Sequence, residues 1–356
     1  MTSSNAAPPA VGGGRVFWAE EHGRQADVRM AAPGGTPKTI FRLTGPRARS
    51  APSYAQIIEI GASRKLVAFT VSAGYGDPYN CAAIDRHPAG DPRCKAGRET
   101  FNGLYAGPIG GPYKLLSGVV GRRTSRCYPG SAPGAFDVSG SVIAYAEHVF
   151  RCVDGFRPAV SRIVARGGGG IGRQRVMDGC DVHRTSSPYN DRIALAGDYL
   201  AWSPDACDRL ERVRLYRWRS GKRVYKLSYR WFLEPFDVAR DGTVIGQVTV
   251  SSGGQDAGGY LFAFPPHRHS KGHRLSRFGT DVDGLRVETQ RLAVEYAPSD
   301  SSQTDVLVTS DGAGKQRRLV ASGLEPAFPW IDFDGSTLAW TRGDPPVDVY
   351  AQRADR

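Results

Sequence analysis

The sequence predicts an all-β fold: a β-propeller of four-stranded antiparallel blades, seven of them, with six or eight as the neighbouring possibilities. Three observations carry this reading. A polar turn followed by a short apolar strand, best formed at Phe333-Asp-Gly-Ser-Thr-Leu-Ala-Trp340, recurs along the whole chain. With Leu338-Ala339-Trp340 as template, further copies stand at Val16-Phe17-Trp18, Val67-Ala68-Phe69, Ile143-Ala144-Tyr145, Leu200-Ala201-Trp202, Val244-Ile245-Gly246 and Leu292-Ala293-Val294. Successive copies lie about 45 to 75 residues apart, the spacing of strand-only repeats arranged radially around an axis. The 44 glycines and 24 prolines supply the tight turns that many short strands need.

Bulk properties set the frame. The chain has 356 residues, 40% of them apolar, and a formal charge of +12. A propeller spreads its core over similar blades, so a chain of this length remains one domain. Residues 12–356 are read as that domain, and residues 1–11 as a linker or an artificial start left after removal of a signal. The positive charge invites a nucleic-acid reading, but the basic residues are mostly Arg scattered singly. That bias fits a GC-rich bacterial genome better than a phosphate-binding patch. No apolar run approaches eighteen residues, so no membrane span is expected. The N-terminus lacks the charged and apolar regions of a secretory signal.

Each blade is read as strands a to d from the axis outward, with the apolar triplet on strand b. In blade one, strand a is the weak Pro9 to Gly13, followed by b at Arg15 to Glu21, c at Asp27 to Ala32 and d at Lys38 to Thr44. Blade two has a at Tyr54 to Ala62, b at Lys65 to Ala73, a long insertion from Gly74 to Arg98, c near Thr100 to Ala106 and d at Tyr113 to Gly118. Blade three runs from Ala135 to Gly179, and its Gly167 to Gly170 run is a turn rather than a phosphate cradle, since no helix follows it. Blade four spans Arg192 to Tyr229, where Val213-Arg-Leu-Tyr-Arg-Trp218 alternates as a half-buried strand does. Blade five runs from Phe236 to Phe278 and blade six from Leu285 to Gly323. Blade seven has a at Phe328 to Phe333, b at Ser336 to Thr341 and c at Val347 to Gln352. Its strand d is absent, supplied by residues ahead of Gly12, or removed with a tail.

At Asp311-Gly-Ala-Gly-Lys-Gln-Arg-Arg-Leu319, Pro326-Ala-Phe-Pro-Trp330 and Asp334-Gly-Ser-Thr-Leu-Ala-Trp340, the chain resembles the TolB-like family of WD40-type repeats. The match is good in blades six and seven and weaker elsewhere, so it covers the chain as architecture. The resemblance implies an extracytoplasmic propeller used for binding, and it carries no fixed catalytic residue.

Six cysteines stand at Cys81, Cys94, Cys127, Cys152, Cys180 and Cys207. Cys127 precedes strand a of blade three and Cys152 follows its strand b. Cys180 and Cys207 take the same two places in blade four. The d-to-a and b-to-c loops emerge at one face, called the top, so the pairs Cys81–Cys94, Cys127–Cys152 and Cys180–Cys207 can each close locally. The two-residue spacing of zinc cysteine pairs is absent. Disulfides imply an oxidising compartment, hence secretion or the periplasm.

Candidate chemistry is sparse. Asp137, Asp237 and Asp332 lie at similar distances upstream of the triplets in blades three, five and seven, which suggests carboxylates near the top of the channel. They would serve as acid, base or cation ligands, or bond neighbouring backbone amides. Asp281-Val-Asp283-Gly284, read as a top loop entering blade six, resembles a fragment of a calcium loop without its distal ligands. Calcium there is the one cofactor with any support. The cluster His267, His269 and His273 falls in a bottom hairpin. Tyr229, Arg230 and Trp231 sit in an aromatic-rich crossing between blades four and five, where they can pack a wedge or stack on a ligand. His148 and His183 flank the top of blades three and four and complete the candidate binding set. No Gly-x-Ser-x-Gly, His-Glu-x-x-His or Walker loop is present.

The reading is therefore a secreted or periplasmic, disulfide-linked propeller binding a protein or glycan at its loop-rich top. A lyase or hydrolase using channel-mouth carboxylates is the alternative.

Overall fold

The computed structural model describes residues 2–3, 7–46, 53–75, 99–122, 130–150, 158–167, 172–181, 192–203, 213–227, 233–252, 255–267, 272–277, 281–288, 291–297, 303–309, 316–324, 331–342 and 347–354. Their strands form seven antiparallel sheets of four, and the chain is a seven-bladed β-propeller. The innermost strands are Ala10–Gly12, Ser53–Ala62, Gly130–Ser139, Arg192–Ala196, Leu233–Val238, Asp281–Glu288 and Ile331–Phe333. The second strands are Arg15–His22, Leu66–Tyr75, Val142–Phe150, Tyr199–Ser203, Val244–Ser252, Arg291–Ala297 and Thr337–Arg342. Every triplet falls on strand b, as expected.

The triplet governs how blades stack. Side chains on a strand alternate between its two faces, so the first and third triplet residues face the preceding blade and the middle one faces the next. Ile143 and Tyr145 pack with Leu66, Ala68 and Leu104 of blade two, whereas Ala144 packs with Leu200 and Trp202 of blade four. Leu338 and Trp340 meet Ala293 and Val306 of blade six, and Ala339 meets Val16 and Trp18 of blade one. Trp18, Phe69, Tyr145 and Trp202 are all fully buried. A large, small, large sequence thus fills one side of the wedge and leaves the other close enough for the neighbour's large residues.

The ring closes through its N-terminal end. In blade seven the order from outside is Thr2–Ser3, Val347–Arg353, Thr337–Arg342, Ile331–Phe333, with Thr2 paired to Asp348 and Ser3 to Val347. Of the sources left open for the missing strand d, residues ahead of Gly12 supply it. Residues 1–11 are accordingly no mere linker: they hold this strand and the start of Ala10–Gly12, and Ala7 and Ala10 are buried.

Antiparallel order puts the a-to-b and c-to-d turns on the bottom. The turn at Asp334 shows how the polar half of the repeat works: Gly335 takes φ of 86°, a left-handed conformation that glycine adopts freely. The Asp334 carboxylate accepts from the N–H groups of Ser336 and Thr337, and also from Gly14 of blade one.

Trp202→Ala is expected to lower stability by about 3–5 kcal/mol by opening a cavity between blades three and four. Ala144→Leu, overfilling the same contact, costs about 1–3 kcal/mol. Denaturant unfolding midpoints check both, with the exposed Leu115→Ser as a neutral control.

Candidate functional site

Seven inner strands enclose an axial channel, and toward its bottom end lies a cavity of about 150 Å³ lined from all seven blades. Its chemistry is set by one register position, the residue of strand a paired with the middle of the triplet. In blade three this is Asp137, opposite Ala144; in blade five Asp237, opposite Ile245; in blade seven Asp332, opposite Ala339. Blade six places Arg286 there, opposite Ala293. Blades one, two and four carry Ala10, Gly61 and Ala194.

The three aspartates therefore do gather in the channel, but at its bottom rather than its top. Asp137 stands just ahead of Ser139, where strand a ends and the a-to-b turn begins. The difference arises because strand a of blade three starts at Gly130 and passes through a bulge between Pro133 and Phe136, so its top end lies further upstream than apolar periodicity suggests.

Each aspartate ties its blade to another part of the ring. The Val138 N–H donates to Asp137 Oδ1 at 2.8 Å, and the Leu195 N–H of blade four donates to Oδ2 at 2.6 Å. Asp237 accepts from Val238 at 2.7 Å and from Val287 of blade six at 2.7 Å. Asp332 accepts from the Val11 N–H of blade one at 2.7 Å and from Arg286 Nε at 2.9 Å. This is the amide-bonding role that the sequence offered as one of two readings.

Charge in this enclosure is uneven. Burial pushes the Asp137 carboxyl up to about 8, against the pull of Arg286 and with a push from Asp237. Burial likewise raises Asp237 to about 6 and Glu59 to about 7, with Arg286 opposing each. Asp332 is also raised by burial, even with Arg286 bonded to it. Burial acts to lower Arg286, but the carboxylates of Asp332, Asp237 and Asp137 outweigh it and hold the guanidinium above its ordinary value. The Arg286 side chain keeps 46% of its surface accessible, yet protein surrounds it. Its exposed surface faces the channel cavity.

Arg286 and Glu59 were not singled out from the sequence. Arg286 stands at the same offset from its triplet as Asp137 and Asp332, so a search for any charged residue there would have found it. Glu59 is displaced by a bulge between Ile57 and Glu59, which no simple offset anticipates.

Other candidates fall elsewhere. His148 is fully buried on strand b of blade three, within 3.2 Å of Ser161 Oγ through Nδ1, and burial lowers its pKa to about 4. It is a packed side chain withdrawn from the top surface. Asp281 and Asp283 belong to strand Asp281–Glu288 rather than a loop, and among the described residues no group of three acids, histidines or cysteines could hold a metal ion. His267 and His273 are exposed at the bottom, and His269 lies outside the described residues. Tyr229, Arg230, Trp231 and His183 also lie outside them, as do Cys81, Cys94, Cys127, Cys152 and Cys207. Cys180 is disulfide-bonded. It sits on the outer strand Arg173–Asp181 of blade three, which runs further than the sequence indicated. No helix among the described residues is long and apolar enough to cross a membrane.

No protein-family model and no curated sequence matches the chain. Solved structures do resemble it. The β-propeller domain of the trilobed protease from Pyrococcus furiosus, of open velcro topology, is 8% identical with a TM-score of 0.58, covering 98% of this chain and 93% of that one. The acylaminoacyl peptidase of Pyrococcus horikoshii is 10% identical with a TM-score of 0.56, covering 98% of this chain and 51% of that one. The chain thus spans about half the length of that peptidase. At such identities the likeness shows the propeller fold and nothing finer. The strand Thr2–Ser3 closes the present ring.

Asp137→Ala leaves the Val138 and Leu195 amides without their acceptor and is expected to cost about 2–4 kcal/mol. The raised pKa adds a pH signature. An unfolded Asp ionises near pH 4, so Asp137 sheds a proton on unfolding at any pH up to about 8. Stability therefore falls as pH rises through this window. Urea midpoints between about pH 6.5 and 8, above the range where His148 titrates, should show the decline, and Asp137→Asn should reduce its slope by up to about 1.4 kcal/mol per pH unit.

Proposed function

We propose that this propeller is an extracytoplasmic binding module that engages a protein or glycan partner through its top face. The observation that carries the reading is the unequal length of the connections. On the bottom, strands a and b are joined by residues 13–14 in blade one, 140–141 in blade three and 197–198 in blade four. On the top of blades two to four the connections take residues 76–98, 123–129, 151–157, 182–191 and 204–213. Long connections at one end of a stiff scaffold are where recognition residues concentrate.

Secretion or a periplasmic location is part of the proposal, and the disulfide at Cys180 supports it. The pairings proposed are Cys81–Cys94, Cys127–Cys152 and Cys180–Cys207, each bracing one top segment. Enzymatic use of the channel aspartates is the weaker reading, because both oxygens of Asp137, Asp237 and Asp332 already accept hydrogen bonds within the ring.

Replacing residues 76–98 by a short hairpin turn is expected to abolish capture of partners from envelope and medium fractions while leaving the melting temperature within a few degrees. Unchanged capture would remove the top face as the binding surface. Non-reducing peptide mapping should join Cys127 to Cys152, and any other partner overturns the local pairing.

A further inference from the structure

Basic residues that stand singly in the sequence meet at one end of the ring. Strand d of blades one to six begins at the bottom with Lys38, Lys114, Arg173, Lys222, His273 and Arg317. Each opens the ladder between strands c and d of its blade, so the six share one height along the axis. In blade seven the described outer strand pairs only at the top, with Val347 and Asp348. There Arg353, at the lower end of strand c, stands exposed in the corresponding sector.

This circle of charge faces outward. Lys38, Lys114, Lys222 and Arg317 are exposed, as are Arg64 and Lys65 in the a-to-b turn of blade two. Outside the channel, the acids described on this end have other partners. Asp198 lies 3.5 Å from Arg219, and Glu288 accepts from Arg240 at 3.1 Å. Asp241 accepts from the Thr243 N–H, and Asp334 from those of Gly14, Ser336 and Thr337.

Exposed apolar side chains follow the same bases. Leu115, Val176 and Leu319 keep 49%, 51% and 55% of their surface accessible. They stand one, three and two residues past the first residue of strand d in blades two, three and six. At ~3.4 Å per residue, that places them within about 10 Å of the rim.

We propose that the bottom rim docks on a lipid bilayer containing anionic phospholipid, with the propeller axis across the membrane plane and the top face turned away from it. Geometry selects this partner. Charges at one height around a whole circle meet a plane together, whereas an extended polyanion reaches only the arc that it crosses. Bases that attract headgroup phosphates, with apolar side chains close behind them, are the pattern of association with a membrane interface. A nucleic acid would engage the bases through its phosphates and leave Leu115 and Leu319 in water. Docking at this end leaves the top segments open to a partner and does not depend on their having one.

Vesicle sedimentation tests this on the intact protein, comparing pure phosphatidylcholine with phosphatidylcholine carrying about 30% phosphatidylglycerol, in about 0.1 M salt. The anionic vesicles are expected to bind at least tenfold more tightly. The triple variant Lys38→Gln, Lys114→Gln, Lys222→Gln should lose at least tenfold of that affinity, and Leu115→Ser with Leu319→Ser at least threefold. The control pair Arg24→Glu and Thr44→Glu makes the same change in net charge at the top of blade one and leaves the affinity unchanged. Melting temperatures check that each variant is folded. Absence of binding to the anionic vesicles, undiminished binding in the lysine variant, or an equal loss in the top control overturns the proposal. So does tight capture by soluble polyphosphate or double-stranded DNA that matches the vesicles and is indifferent to the leucine changes, which assigns the rim to a polyanion instead. Should the lysine variant not fold, salt gives the answer with the wild-type protein. Raising it to about 0.5 M should weaken vesicle binding at least tenfold, and binding that salt leaves unchanged refutes the docking.

Discussion

A propeller blade must pack on both of its faces, against neighbours that converge toward an axis, and everything else in this molecule depends on how the strand b triplet meets that demand. Alternation along a strand sends the outer two residues one way and the middle one the other. Bulk on one side and a small residue on the other let Trp202 settle against Ala144, and Trp18 against Ala339. The contact between blades seven and one is therefore the same kind of interface as the rest, and the chain passes from Thr2–Ser3 of one to Ala10–Gly12 of the other as it does between other blades, so the covalent break falls inside blade seven.

Packing alone positions sheets face to face but does not fix their height along the axis. At three contacts, blades three to four, five to six and seven to one, the channel aspartates do. A carboxylate on one inner strand accepting an amide from the next pins the relative register of two blades to within a hydrogen bond's tolerance, and it does so in the narrowest part of the wedge, where side chains have least room. The acids that make these ties are crowded together with one guanidinium, so the fold keeps part of their charge suppressed by protons. Rigidity at the axis and suppressed charge are two results of one arrangement.

The seven triplets were legible in the sequence because burial on both faces permits few residues there, and the ring followed from them. Strand a was harder to delimit. Its upstream ends in blades two and three pass through bulges, and stretches such as Gly130-Ser-Ala-Pro-Gly-Ala135 carry no apolar alternation to mark them. That is why the aspartates were assigned to the wrong end of the channel while their convergence was correct. Arg286 carries no signal of its own in a chain so rich in Arg, and Glu59 carries none because a bulge moves it off register. His148 could not be sorted by type, since an imidazole is equally at home packed against Ser161 or facing a ligand. Asp281-Val-Asp-Gly284 looked like a loop because its acids interrupt the apolar period, yet backbone pairing with Ala297 and Tyr296 keeps the segment extended.

Around the axis, the equivalent positions read Ala10, Gly61, Asp137, Ala194, Asp237, Arg286 and Asp332. A scaffold with approximate sevenfold rotation thus encloses a space with none. At these positions charge stands on four of the seven walls and not on the other three, so the bore is electrostatically lopsided and presents a different wall at each angle about its axis.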